Sequence, residues 1–197
     1  ELEIDNEYIM SPKDLCTIGF IDKIIDSGVR VLKIEGRARS AEYVREVSSC
    51  YDEAVNAIEN GTYSKEKTDV WMVRLSAVFN RGFWDGYYLG RKMGEWNTNY
   101  GSSATKRKVY LGKITNYFTK LHVAEIKLEN GNLNKGDTIL IIGPTTGVVE
   151  YKIDEIRVEL KITEKALKGE QCSIKTPDYL RRSDKVYKWV DLGENKS

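Results

Sequence analysis

The hydrophobic period changes once along this chain, near residue 105. Before that point apolar residues recur every three to four positions, as on one face of a helix. After it they alternate, as in strands packed on one side. Neither pattern can serve as the other, because helix and strand project their side chains at different periods. The chain therefore has to build two kinds of structure in series.

Within the first half, residues 8–10 (Tyr-Ile-Met) form a short apolar run. Ser11, Pro12 and Asp14 follow as N-cap, first helical residue and first-turn acid, which predicts a helix start. Ile18, Ile21, Ile24 and Ile25 carry the helical stripe, and Ser27-Gly28 supplies a stop. Residues 29–34 hold a continuous apolar run, read as a strand buried on both faces. Ser40 caps a second helix, with Val44, Val47, Tyr51, Ala54, Val55 and Ile58 as its stripe and Asn60-Gly61 as its end. A third helix is expected over residues 68–80, with Val70, Val73, Ala77 and Val78 on one side. Helices and strands in alternation imply βα units of a parallel sheet. Such sheets place ligands at the C-terminal ends of their strands. Asp14, Cys16, Glu35, Gly36 and Arg37 would lie there. Glu35, Arg37 and Asp14 are the candidates for proton transfer or anion binding; a salt-bridged strand end plus a helix cap is the alternative. The segment 81–90, in which glycines alternate with aromatics, reads either as a stacking surface or as a loop filling an apolar gap.

The second half carries strand composition at residues 110–114, 121–128, 138–142, 148–156 and 172–174, with turn signals at Asn130-Gly131, Lys135-Gly136-Asp137 and residues 143–147. This spacing predicts a small all-β barrel. The strings "GNLNKGDTILI" and "ALKGEQCSIK" resemble the second domain of translation elongation factors. The fold class is therefore α+β overall, with βα units followed by a small barrel.

Composition removes several chemistries. The chain has 197 residues and a single histidine, His122, placed on an expected barrel strand where packing suits it. One histidine excludes a His-rich metal site and leaves a triad hydrolase little to work with. No HExxH, CxxC, P-loop or GxSxG string occurs. No run of about 18 apolar residues marks a membrane span, and nothing at the start reads as a signal peptide. Cys16, Cys50 and Cys172 are too widely spaced for a disulfide framework, which suits a cytoplasmic protein. Charge divides near the Gly/Ser/Asn-rich stretch at residues 97–103. Residues 1–104 hold 13 basic against 17 acidic side chains, and residues 105–197 hold 18 against 13. The basic half suits a polyanion such as RNA, and equally an ordinary soluble surface. In the final segment Arg181, Arg182, Lys185 and Lys188 interleave with Tyr179, Tyr187 and Trp189, a mixture that can neutralise phosphates and stack bases. A closing strand with solvated lysines is the plainer alternative.

Four strings, "YIMSPKDLCTI", "GVRVLKIEGRARSAEYVREV", "FNRGFWDGYYLG" and "KGDTILIIGPTTGVVE", occur in an order that resembles the peptidase U32 family, the collagenase-like peptidases. The resemblance implies that residues 1–104 are the C-terminal βα portion of a TIM-like catalytic domain with a linker, and that residues 105–197 are the family's small β-barrel. The chain, which opens at Glu1, is then read as part of a longer protein. Members related to RNA hydroxylases hold an iron–sulfur cluster on four cysteines. The resemblance makes Cys16, in "KDLC", one ligand of a [4Fe-4S] cluster in the whole protein. This segment by itself would carry no cluster and would be inactive. Cys50 and Cys172 are expected to pack. The "KIEGR" string, with Lys33 before Glu35, falls at the mouth of the implied barrel.

Three functions follow as expectations. The whole protein would hydroxylate a base in tRNA or rRNA, with the β-barrel presenting the RNA. Alternatively it would cleave a collagen-like protein substrate. Alternatively the segment is a binding module without chemistry. No membrane partner is expected, and a dimer or swapped assembly would cover the open sheet edges.

Overall fold

A computed structural model describes residues 13–90 and 101–193. The chain is a mixed α/β structure with few helices and a large antiparallel sheet. It divides into two compact units, residues 1–105 with 192–197, and residues 106–191.

The first unit is organised by two helices. Helix α2 (Ala41–Glu59) buries Val47, Cys50, Ala54 and Ala57, a run at helical spacing. Its N-cap, Ser40, is extended. Its end is set by Asn60 and Gly61; Gly61 takes a left-handed φ of 64°, which a glycine adopts without a Cβ clash. Helix α3 (Lys65–Ala77) starts at Ser64, whose hydroxyl accepts from the Lys67 N–H at 3.4 Å. It faces α2 with Thr68, Trp71 and Leu75. Val70 and Val73, expected on the buried side, are exposed instead. The i, i+4 pair Trp71–Leu75 offers the larger apolar area, and that pair sets the rotation of the helix. Arg74 stitches the seam, donating to Glu46 and Glu53 at 2.6 Å each.

Two expectations in this unit are corrected. Asp14 does not open a helix. Asp14–Leu15 is a short strand, β1, paired in parallel with β2 (Phe83–Trp84). The Asp14 N–H donates to the Gly82 carbonyl at 2.8 Å and the Cys16 N–H to that of Trp84 at 2.9 Å. Backbone groups used in a ladder cannot begin a helix, so helical structure waits for a 3-10 turn at Ile18–Phe20 and then α1 (Ile21–Asp26). The proposed cap residues Ser11 and Pro12, and the run at residues 8–10, lie outside the described residues. The stop at Ser27-Gly28 holds, with Gly28 at φ 97°. The second correction concerns residues 29–34, which pair with no strand among the described residues; Val31 is 81% exposed. A strand buried on both faces needs neighbours on both edges to satisfy its N–H and C=O groups, and none is described beside it.

In the second unit every pairing is antiparallel. The strands are β3 (Lys106–Phe118), β4 (Val123–Leu128), β5 (Leu133–Asn134), β6 (Thr138–Gly143), β7 (Gly147–Lys152), β8 (Ile156–Val158), β9 (Lys161–Thr163), β10 (Lys165–Ala166), β11 (Gln171–Lys175) and β12 (Lys185–Asp191). Eight of them run in the order β7-β6-β12-β3-β4-β11-β8-β9, and β5 pairs with β10. Strand β4 shows the period plainly: Ala124, Ile126 and Leu128 are buried, with Glu125 and Lys127 between them. The core joins these residues to Leu111, Ile114, Ile139, Ile141, Ile156 and Ile174, among others. Two glycines permit close approach. A methyl at position 112 would overlap the Lys127 carbonyl, and one at 143 would overlap the buried Asp184 carboxylate. His122 is corrected as well: it stands in the exposed β3–β4 turn at φ 51°, not on a strand. Cys172 is buried in β11 and packs, as expected.

Candidate functional site

The first unit holds an open groove of about 880 Å³. Five segments line it: β1, residues 17–27, residues 29–39, the first turns of α2, and residues 79–89. Asp14 sits at its base. Its Oδ1 accepts from the Arg39 guanidinium at 2.8 Å and from Arg81 Nε and Nη2 at 3.3 and 3.2 Å. Its Oδ2 accepts from the Arg81 backbone N–H at 3.1 Å. The side chains of Asp14, Arg39 and Arg81 are 14%, 12% and 37% exposed. Arg39 lies between two rings, with its guanidinium carbon 4.5 Å from the Phe79 centroid and 5.1 Å from that of Tyr43.

This arrangement defines what each residue can do. Both Asp14 oxygens are occupied by cationic or backbone donors, so Asp14 is an anchor for two guanidinium groups. Burial of Arg39 makes it the clamp, and Arg81 reaches further toward solvent. Glu35 is exposed, and its carboxylate accepts from the Arg37 backbone N–H at 2.6 Å. That bond closes a local turn, followed by the Arg39 N–H donating to the Gly36 carbonyl at 3.0 Å. Arg37 and Lys33 are exposed at the rim. Glu35, Arg37 and Asp14 thus border one groove, although residues 29–34 form no strand to carry them.

Cys16 is half-buried beside the groove, its thiol 3.7 Å from the Met72 sulfur. Burial pushes that thiol above its ordinary range. Next to it the Tyr51 hydroxyl bonds to Thr17, accepting from the backbone N–H at 2.9 Å, and burial pushes its phenol up to about 12. An iron–sulfur cluster needs about four thiolates. Cys50 is fully buried in the α2 core with its sulfur toward Glu46, and Cys172 belongs to the second unit. Among the described residues no group of three or more His, Cys, Asp or Glu side chains could hold a metal ion. The described residues do not fit a complete cluster site; Cys16 could supply one ligand only.

In the second unit Arg181, Arg182 and Lys185 are exposed around the turn before β12. Lys188 is committed elsewhere: its ammonium donates to Asp137 at 3.0 Å, and it is half-buried. Sequence reasoning missed Arg39, Arg81, Tyr43 and Phe79. Asp14 and Arg81 are separated by 67 positions, and no spacing rule connects them. The one available signal was Arg39, two residues beyond "KIEGR". Among the described residues no helix is long and apolar enough to cross a membrane.

Comparison with known proteins adds a family context. A family model described as peptidase family U32 matches residues 1–98. A Porphyromonas gingivalis protein named collagenase is 57% identical over 189 residues, which is 96% of this chain and 46% of that protein. An uncharacterized protease of Methanocaldococcus jannaschii is 36% identical over 190 residues, covering 95% of this chain and 46% of that protein. A Bacillus subtilis protein named tRNA hydroxylation protein P1 is 31% identical over 159 residues, covering 78% of this chain and 36% of that protein. The chain spans about half the length of the first two relatives and about a third of the last.

Proposed function

The chain belongs to peptidase family U32, and from that premise we propose that it is part of an RNA-modifying member of the tRNA-hydroxylation type. The observation that carries this reading is the groove, where Asp14 anchors Arg81 and also Arg39, whose guanidinium lies over the Tyr43 and Phe79 rings. Guanidinium groups over apolar and aromatic walls suit a phosphate-bearing ligand with a flat base. Arg37 and Lys33 at the rim add positive charge. The name of the B. subtilis relative agrees with that chemistry. Residues 1–104 are then the end of a TIM-like barrel, and residues 105–197 a small β-barrel that presents RNA through Arg181, Arg182 and Lys185. Cys16 would contribute one thiolate to a cluster whose other ligands lie outside the described residues, and no step of the chemistry is assigned to it.

Two measurements test this. Deleting the gene should remove a hydroxylated nucleoside from digested tRNA, read by mass spectrometry; an unchanged nucleoside profile overturns the assignment. The chain itself should bind tRNA with an affinity that falls steeply with salt, and Arg37→Ala should weaken it. Affinity indifferent to both would count against the groove.

A second reading is favoured by the 57% identity to the P. gingivalis collagenase. In it Glu35, an exposed carboxylate at the groove rim, activates water for peptide hydrolysis. Gelatin cleavage by the whole protein, abolished in Glu35→Gln, would establish it; equal cleavage by the variant would remove Glu35 from the reaction.

A further inference from the structure

Three connections of the second unit converge at one end. The Thr176 N–H donates to the His122 carbonyl at 2.9 Å, joining the β11–β12 loop to the β3–β4 turn. Arg181 Nη1 donates to Thr146 Oγ1 at 3.3 Å, and Thr146 in turn donates to the buried Asp184 at 2.6 Å, bringing in the β6–β7 turn. Asp184 also accepts from the Arg181 N–H at 2.9 Å. A loop tied down in this way holds its side chains in a fixed direction.

Those bonds build an aromatic ledge. The Tyr117 and Tyr179 rings meet edge to face, with centroids 5.0 Å apart at 76°. The Arg181 guanidinium carbon lies 5.2 Å from the Tyr179 centroid. The Tyr117 hydroxyl and His122 Nδ1 are 3.4 Å apart. Even with these neighbours, Tyr179 is 55% exposed. Arg182 and Lys185, further along the same segment, are exposed.

We propose that this end of the second unit is a stacking site for single-stranded RNA, with a base on the Tyr179–Arg181 ledge and the adjoining phosphates on Arg182 and Lys185. The inference rests on the RNA reading above and narrows it from RNA in general to unpaired nucleotides. Aromatic rings and guanidinium planes stack on any base, and cations track the backbone, so the chemistry selects strandedness more than sequence. A duplex keeps its bases stacked on one another and offers the ledge nothing but phosphate. Asp184 is buried and turned inward to Thr146 and the Arg181 N–H, and the exposed Asp178 beside Tyr179 is outnumbered by the exposed Arg181, Arg182 and Lys185.

The test is fluorescence anisotropy of the full chain with a short labelled oligouridylate, an oligoadenylate, and an RNA duplex of equal length. Both single strands should bind more tightly than the duplex. Tyr179→Ala should weaken single-strand binding about tenfold, in line with the loss of one stacked base, while Tyr179→Phe keeps the ring and the affinity. Arg182→Ala should reduce the salt slope by about one. Equal affinity for duplex and single strand would overturn the proposal. So would a Tyr179→Ala chain, folded by circular dichroism, that binds as the parent does. If in those cases tRNA still binds in a salt-dependent way, RNA binding survives and stacking alone falls. If tRNA and both oligonucleotides fail to bind, the broader reading falls with it. Displacement of the oligonucleotide by polyglutamate at matched charge would show simple polyanion attraction and would also reject stacking.

Discussion

The two units hold their cores in different ways. In the helical unit one seam between α2 and α3 buries Val47, Cys50, Ala54, Ala57, Trp71 and Leu75. An ionic ladder runs along it, with Arg74 bonded to Glu46, Glu53 and Ser49. In the β unit strands from distant parts of the sequence interleave around a nearly continuous Ile/Leu core. A helix has one apolar stripe and needs one partner. A strand pair needs a register, which fixes every side chain at once. The helical unit therefore depends more on a few large side chains and on charge, and the β unit on shape.

The sharpest way to break that contrast is Trp71→Ala. It removes the stack with Tyr63 and the bond from Trp71 Nε1 to Glu53 at 2.9 Å, and should cost about 4 kcal/mol. Denaturation followed by far-UV circular dichroism at 222 nm should lose the helical signal early while the β signal persists; one joint transition would show that the two cores are not independent. Ile126→Ala, in the centre of the β core, should cost about 3 kcal/mol and reverse the order of melting. Gly143→Ala should cost about 2 kcal/mol, because its methyl overlaps Asp184 and the hairpin must shift; a neutral result would mean that the Asp184 latch has room to move.

Charge gives a smaller effect. Arg74→Met should destabilise the helical unit by about 1 kcal/mol. The Arg74 hydrogen bond holds the Glu53 carboxyl down at about 2, against an ordinary 4.5. A carboxylate depressed in the folded state stabilises above its unfolded value and loses that contribution as pH falls through the folded one. The helical unit should thus weaken between about pH 4.5 and 2, and Arg74→Met should flatten that dependence. The β unit carries its own depressed carboxylate, Glu129, bonded to Tyr110 and Lys113, so Arg74→Met should leave its acid titration unchanged. The smallest effect belongs to Val31→Ser, within about 0.5 kcal/mol, because Val31 is already in solvent. A larger loss would show that residues 29–34 are covered in solution.

Some of this was legible in advance. The stripe of α2, its Ser40 start and its Asn60-Gly61 stop followed from local preferences, and the alternation in β4 and β6 followed from the period of a pleated strand. Glu35, Arg37 and Asp14 do line one groove, but the strand over residues 29–34 that was expected to carry two of them is not there. The rest depended on distance in sequence. Asp14 looked like a helix cap because Ser-Pro-x-Asp is a local signal, and the parallel partner that overrides it begins 69 positions later, at Phe83. His122 looked like a strand residue because its neighbours are apolar, while a positive φ in a tight turn is decided by the strands on either side.

By itself the sequence determined the helix α2 and the alternating strands such as β4, where charge accumulates and which chemistries lack the residues to operate. Those properties belong to a few adjacent residues and act over a few ångströms. Tertiary structure decided that Asp14 serves two arginines, that Lys188 answers Asp137, and that Tyr117, His122, Tyr179 and Arg181 stand on one ledge. Each of those groupings requires loop closure over tens of residues, and only the packed cores hold such closures in place.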